Sequence, residues 1–188
     1  LFLRLYQLGN EAMHHDESLH SFYAWVLSES FTLIHNPRMH GPLQMDLTAI
    51  IFRMFGDSDF TARFLYALVG TALIFTPLLF KDSLGKSGTI LVSTMLGISP
   101  TMVYFSRFAR NDILMAFLAI LMFACLWKYK HTGKSKYLYW CSGFLAASYA
   151  TKETAFLISG ILVLYLLSCW LIEKKHTLFA SISLEKDT

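Results

Sequence analysis

TILVSTMLGISPTMVYFSRFARNDILMAFLAILMFACLWKY, residues 89–129, is the stretch that decides the fold. It is apolar along most of its length and about twice as long as one membrane crossing requires. A spanning helix takes about 20 residues, because the hydrocarbon core is about 30 Å thick and each helical residue rises about 1.5 Å. Near the middle stands SRFARND, residues 106–112, with three charges. Each would cost roughly 2.5–3.5 kcal/mol at mid-bilayer, so the chain is expected to surface there and turn. Pro100, just upstream, marks a helix irregularity. The stretch therefore reads as two membrane helices joined by a polar reversal.

The same reasoning works outward. Residues 60–80 are long enough for one span, with Arg63 near an end where it can reach the interface, and residues 137–172 make about two spans interrupted by Thr151-Lys152-Glu153. Spans are expected near 60–80, 88–105, 112–129, 137–151 and 154–172, with residues 1–9 as the end of an earlier apolar run. The expected organisation is an all-α, polytopic transmembrane bundle. Residues 1–176 form the N-terminal part of a larger module, a fragment of it, and 177–188 a cytoplasmic tail. Composition agrees: 15% of the 188 residues are charged, where a soluble domain carries about 25%. No signal-peptide pattern precedes the spans. Cys125, Cys141 and Cys169 sit apart in apolar stretches, without metal or disulfide spacing, and read as small buried hydrophobes.

Charge then orients the spans. Lys81 and Lys86 follow the first of them, Lys128, Lys130, Lys134 and Lys136 fill a later loop, and Lys174 and Lys175 follow the last. Alternation puts all three groups on one side, and basic loops stay cytoplasmic. The lysines are thus topology signals and no nucleic-acid site. The opposite, extracytoplasmic side of a multi-pass cell-membrane protein receives residues 10–59, the Arg107–Asp112 turn and the Lys152-Glu153 turn.

Residues 10–59 form a long first outer loop with its own helical periodicity. Leu19, Phe22, Tyr23, Val26 and Leu27 recur at helical spacing, as do Leu43, Leu47, Ile50, Ile51 and Met54. Two amphipathic helices, about 18–30 and 43–55, are expected at the membrane surface, joined by the HNPRMHGP turn with Pro37, Gly41 and Pro42 as breakers. The alternative for the second is a short buried or re-entrant helix.

Several charged residues on that side are candidates for chemistry. Asp16-Glu17 begins a helix, where a carboxylate can serve simply as an N-terminal cap. Its neighbours His14, His15 and His20, and the cations expected from other loops, suggest more. Acidic groups facing cations at a membrane surface suit transfer from a lipid phosphate: a carboxylate takes the acceptor's proton and the cations stabilise the departing phosphate. Arg107 and Arg110, three apart, would share a helix face beside Asp112. Snorkelling explains one such arginine, while two fit anion binding better. Lys152 is the third candidate phosphate contact, although Lys152-Glu153 also reads as a self-neutralising turn. His15, His20, His40, Asp112 and Glu153 are accessory candidates, with His35 and His40 flanking the Pro37 turn. The histidine spacing is not that of a zinc protease, and a divalent cation, if one binds, would use Asp16 or Glu17. No phosphate-binding loop, dinucleotide fingerprint, Ser-His-Asp order or CxxC pair occurs.

Four strings occur together in order: HHDESLHSFYAW, HNPRMHGPLQMDLTAIIFRMFGDSDFTARF, ISPTMVYFSRFARNDILMAF and YATKETAF. As a set they resemble the GT-C-type membrane glycosyltransferases. The likeness is to the family named for flippase-associated activity in archaeal protein glycosylation, related to the dolichyl-phosphate-mannose protein mannosyltransferases and the lipid A aminoarabinose transferases. The resemblance covers about residues 3–156. It implies a GT-C fold, a polyprenyl-phosphate-linked sugar as donor and a protein, lipid or glycan hydroxyl as acceptor. Asp16 would be the catalytic base with Glu17 as partner, and Arg107, Arg110 and Lys152 would hold the lipid phosphate. A polyprenyl-phosphate carrier-binding or flippase-assisting protein without catalysis is the alternative, and an ion-coupled transporter would want charges inside the spans.

Overall fold

The computed structural model describes residues 2–31 and 40–186. Among these every regular element is helical: α1 Phe2–Leu5, α2 His15–Ser30, α3 Leu43–Phe55, α4 Asp59–Phe75, α5 Lys81–Ile98, α6 Pro100–Ser106, α7 Asn111–Thr132, α8 Lys136–Tyr149 and α9 Thr154–Lys186. The all-α expectation holds. The HNPRMHGP turn, with His35 and Pro37, lies outside the described residues except for its last three positions.

Three helical stretches are long and apolar enough to cross a membrane: 59–98, 111–132 and 154–172. The first contains a reversal. After α4 and a 3-10 turn, Thr76–Phe80, helical geometry breaks at Gly85, whose φ of 68° and ψ of 175° are barred to most side-chain-bearing residues. The limbs on either side fold back together, since Gly97 lies against Ile74 and Gly70 against Ser106. Residues 59–80 and 86–106 are therefore two antiparallel limbs. The second limb is interrupted at Ser99, where Pro100 begins α6. A second reversal, at Gly133 in the left-handed region, joins α7 to α8, a helix of only 14 residues.

Compact unit 1 comprises residues 1–153, and α9 belongs to the second unit. Within unit 1, small residues let helices approach closely, as expected where lipid supplies no hydrophobic drive between them. Ala24 and Ala62 are fully buried beside Phe52, joining α2, α3 and α4. Tyr66 and Leu73 pack on Ala109 and Ile113, joining α4 to α7.

Of the two helices of the first loop, α2 faces the opposite way from a soluble amphipathic helix, and α3 is mixed. α2 buries Glu17, His20, Ser21, Ala24 and Ser28, while Phe22 and Trp25 are exposed. α3 buries Met45, Ala49 and Phe52 together with Gln44 and Thr48, and exposes Asp46 and Arg53 together with Ile50, Met54 and Phe55. The polar stripe of α2 points into the protein, and both helices present large apolar side chains outward, the arrangement that an apolar solvent favours. α7 then sets the long dimension. Arg110 and Asp112 stand at its N-terminal end, and Lys128 and Lys130 in its last turns, roughly 24 Å away at 1.5 Å per residue.

Candidate active site

Most arginines of this chain are occupied with backbone carbonyls, and separating those from the rest isolates the site. A helix leaves its last four carbonyls without intrahelical partners, and guanidinium groups satisfy them here. Arg4 is buried and donates to the carbonyls of Leu96 and Gly97 (3.2 and 3.3 Å) and to Ser106 Oγ (3.1 Å). Pro100 is the reason that Leu96 needs this partner, because the ring nitrogen has no proton to return to the carbonyl four residues back. Arg53 caps α2 through the carbonyls of Leu27 and Ser28 and lies 3.4 Å from the Phe31 ring centre. Arg107 does the same for α1, donating to Leu3, Tyr6 and Gln7.

The expectation that Arg107 and Arg110 share a helix face is therefore corrected. α6 ends at Ser106, Arg107 is its C-cap, and the chain is extended at Arg110 (φ −134°, ψ 159°) before α7 begins. The two side chains diverge, Arg107 toward α1 and Arg110 toward α2. Arg107 spends three of its five N–H donors on these carbonyls, which favours a structural role for it over a phosphate contact.

Glu17 is likewise fully engaged. Its carboxylate accepts from Arg63 Nε and Nη2 (2.8 and 2.9 Å), from the Ala109 amide (2.9 Å) and from the His14 amide (3.1 Å). Both side chains are inaccessible, at 2% for Glu17 and 5% for Arg63. Burial alone would raise the Glu17 carboxyl, but the Arg63 hydrogen bonds and the two amides outweigh it and hold the group below the ordinary carboxylate range. Arg63 also donates to the carbonyls of Leu8, Glu11 and Ala12, so it is buried and not reaching for an interface as its position in the chain suggests. The Glu17–Arg63 pair ties α2, α4, the chain before α2 and the turn at Ala109 together. Glu17 offers no free lone pair for work beside Asp16.

Asp16 points the other way. Its amide bonds His14 Nδ1 (3.4 Å), fixing the first turn of α2, and its half-exposed carboxylate lies 3.5 Å from Arg110 Nη1. Arg110 Nε lies 3.4 Å from Asp112 Oδ2, and Asp112 Oδ1 accepts from Lys152 Nζ at 2.8 Å. A continuous series of ions thus runs Asp16, Arg110, Asp112, Lys152 across three separated pieces of sequence. Beside it His40 Nδ1 bonds Glu153 Oε2 at 2.6 Å, and the His20 and His40 rings stack at 6.4 Å. His15 is exposed in the first turn of α2.

The 150–153 turn is held in place by a short backbone pairing. The Gly41 amide donates to Thr151 O (3.1 Å) and the Leu43 amide to Ala150 O (2.9 Å). A Cβ at Gly41 would stand 2.1 Å from that Ala150 oxygen, so only glycine permits the approach. Buried polar atoms without a hydrogen-bond partner among the described residues include His20 Nδ1, Gln44 Oε1, both amide atoms of Asn111, and the hydroxyls of Ser21 and Thr48. Burial, then the nearby His40, lowers the His20 pKa to about 4, so its imidazole is neutral at physiological pH. Sequence periodicity did not single out Gln44 or Asn111, since neither differs in type from an ordinary helix-surface residue.

Among the described residues no group of three or more His, Cys, Asp or Glu side chains is placed to hold a metal ion. Asp16 and Asp112 flank the guanidinium of Arg110, which takes the position between them that a cation would use.

A chain whose described regular elements are all helical, with several apolar helices of spanning length and a partly buried ion network at the N-terminal end of α7, is a multi-pass membrane protein. It belongs to the dolichyl-phosphate-mannose-protein mannosyltransferase family, whose sequence model matches residues 39–184, and so to the GT-C-type membrane glycosyltransferases. The GT-C resemblance is borne out. The matched span contains His40, Arg110, Asp112, Lys152 and Glu153, while Asp16, Glu17 and His20 precede it. Neither a curated protein nor a solved structure matches the chain.

Proposed function

We propose that the chain carries the donor-side site of an inverting transferase that moves a sugar from a polyprenyl phosphate to a hydroxyl acceptor at the extracytoplasmic membrane face. The observation that carries this reading is the Asp16–Arg110–Asp112–Lys152 series. In the proposed step the Asp16 carboxylate removes the acceptor's hydroxyl proton. The acceptor oxygen bonds to the anomeric carbon as the bond from that carbon to the phosphate oxygen breaks, and the electron pair leaves with the phosphate. Arg110 and Lys152 stabilise that charge.

The balance of charge adds a feature to the mechanism. Two cations, Arg110 and Lys152, face two carboxylates, Asp16 and Asp112, so the resting site is not a preformed anion hole. A lipid phosphate binds by displacing carboxylates from Arg110 and Lys152. The weakest link is the 3.5 Å contact to Asp16, whose side chain is 42% exposed. Donor binding at Arg110 therefore frees Asp16 to act as base, which orders donor before acceptor.

The test uses the full-length protein in lipid. Asp16→Asn should lower transfer at least a hundredfold, within the range that a positioned acid–base group contributes, while leaving donor binding within a few fold. Undiminished turnover in a correctly inserted variant would sink the base assignment. A carrier-binding protein without catalysis would tolerate the change and still depend on Arg110.

A further inference from the structure

The far end of the same helices carries a cavity of mixed polar and apolar lining that the transfer reaction does not use. It has a volume of about 310 Å³ and is lined by Asp82, Ser83, Trp127, Lys128, His131 and Tyr137, between the Gly85 reversal and the last turns of α7. An apolar groove of about 280 Å³, lined by Leu121, Ala124, Cys125, Trp140 and Phe144, adjoins it. Leu79, Lys128 and Tyr137 belong to both walls. Lys128 thus belongs to the wall shared by a mixed chamber and an apolar one, which is where the phosphate of an amphiphile sits relative to its acyl chain.

We propose that this end of unit 1 binds an anionic phospholipid, with its phosphate on Lys128, its headgroup in the upper cavity and one acyl chain in the groove. Charge selects the class of headgroup. The two reversals that frame the cavity, residues 81–86 and 128–137, carry Lys81, Lys86, Lys128, Lys130, Lys134 and Lys136 against the single carboxylate Asp82. Each basic residue near an anionic membrane surface adds to the attraction, and basic pockets between membrane helices bind such headgroups. Lys128 is half-buried, whereas Lys130, Lys134 and Lys136 are exposed, and among the described residues its ammonium forms no ion pair. The aromatic side chains fit the same depth: Trp127 packs on His131 at 4.7 Å between ring centres, and Tyr137 lies under the Lys136 ammonium at 5.3 Å. Tryptophan and tyrosine concentrate at the headgroup level of membrane proteins. The groove below explains why the ligand is a lipid and not a free phosphate, since an inorganic anion leaves those apolar walls uncovered.

Purified full-length protein titrated with phosphatidylglycerol and phosphatidylcholine, with bound lipid counted by native mass spectrometry, tests the proposal. Phosphatidylglycerol should bind at least fivefold tighter than phosphatidylcholine, and glycerol phosphate should not compete. Lys128→Gln should remove most of that preference and Lys128→Arg should keep it. Equal affinity for the two lipids, full competition by glycerol phosphate, or an unchanged preference in Lys128→Gln would each overturn the assignment. The comparison of lipids on the unaltered protein needs no variant, so a variant that folds poorly leaves the test intact. Asp16→Asn should bind phosphatidylglycerol normally, which separates this site from the transfer site.

Discussion

Glu17→Gln is the substitution whose consequence can be worked most fully from the structure. The change is isosteric, and in water it would be nearly silent. Here Oε1 accepts from Arg63 Nε and the Ala109 amide, and Oε2 accepts from Arg63 Nη2 and the His14 amide, so each oxygen faces two donors. A glutamine amide must replace one oxygen with an NH2 group, which brings donor against donor whichever way it is turned. The Arg63 charge would also remain buried, with only carbonyl partners. Removing one member of a buried ion pair costs about 3–5 kcal/mol. In a unit of this size each kcal/mol moves the melting temperature by roughly 2–4 °C, so Glu17→Gln should lose on the order of 10 °C in a thermal-shift assay in detergent. The pH dependence has a definite sign. The folded-state carboxyl lies below its unfolded value, so the stabilisation is complete above the ordinary glutamate range and disappears as pH falls through the lower, folded value. Glu17→Gln should therefore flatten the acid limb of the stability profile. Combining it with Arg63→Leu should restore part of the loss, since no uncompensated charge remains, though the carbonyls of Leu8, Glu11 and Ala12 would then lack their donor. A Glu17→Gln protein melting within 2 °C of the parent would refute this account of the pair.

Arg107→Gln and Arg110→Gln should separate cleanly in donor-saturation kinetics: the first should change transfer by no more than a few fold, and the second should raise the donor KM at least tenfold. Gly41→Ala forces its new methyl into the Ala150 carbonyl, so it should displace the turn bearing Lys152 and lower transfer about tenfold, with little change in the helix content measured by circular dichroism. His20 has its pKa lowered to about 4 in the folded protein, whereas an unfolded histidine titrates near 6.5. Between those values the unfolded chain binds the extra proton, so stability should rise with pH from about 4 to 6.5, and His20→Gln should remove that slope.

The helical membrane architecture was legible because it follows from one large energy. A charge at mid-bilayer is costly enough that Arg107, Arg110, Asp112, Lys152 and Glu153 had to mark turns wherever they fell among apolar residues. The structure ends helices beside all of them. Facing, by contrast, was not legible for the first loop. Periodicity reveals that α2 and α3 have two unlike sides, but the assignment of inside and outside depends on the solvent. In water the stripe of Phe22 and Val26 would turn inward; here the stripe of Glu17, His20 and Ser21 does. Counting apolar spacing cannot choose between them.

The candidate site was half legible for a related reason. Asp16, Arg110 and Lys152 were chosen as charges on one side, and the structure brings them into one series. Glu17 and Arg107 share that ground, but the four contacts of Glu17 and three of the five donors of Arg107 go to holding the protein together. What separates the two groups is where helix ends fall in space. Arg107 has the α1 carbonyls within reach and Arg110 does not, because α6 stops at Ser106 and three residues of non-helical chain swing the second guanidinium toward α2. Sequence spacing contains no record of α1's position. The distinction generalises to a usable rule for this chain. A guanidinium that satisfies orphan carbonyls is holding helices together, and one that faces only carboxylates retains a charge that a phosphate can claim. Among the described arginines the guanidinium groups of Arg4, Arg53, Arg63 and Arg107 each bond at least one carbonyl, and that of Arg110 bonds none. Replacing Arg110 should therefore cost donor affinity while sparing stability, and replacing any of the other four should do the reverse.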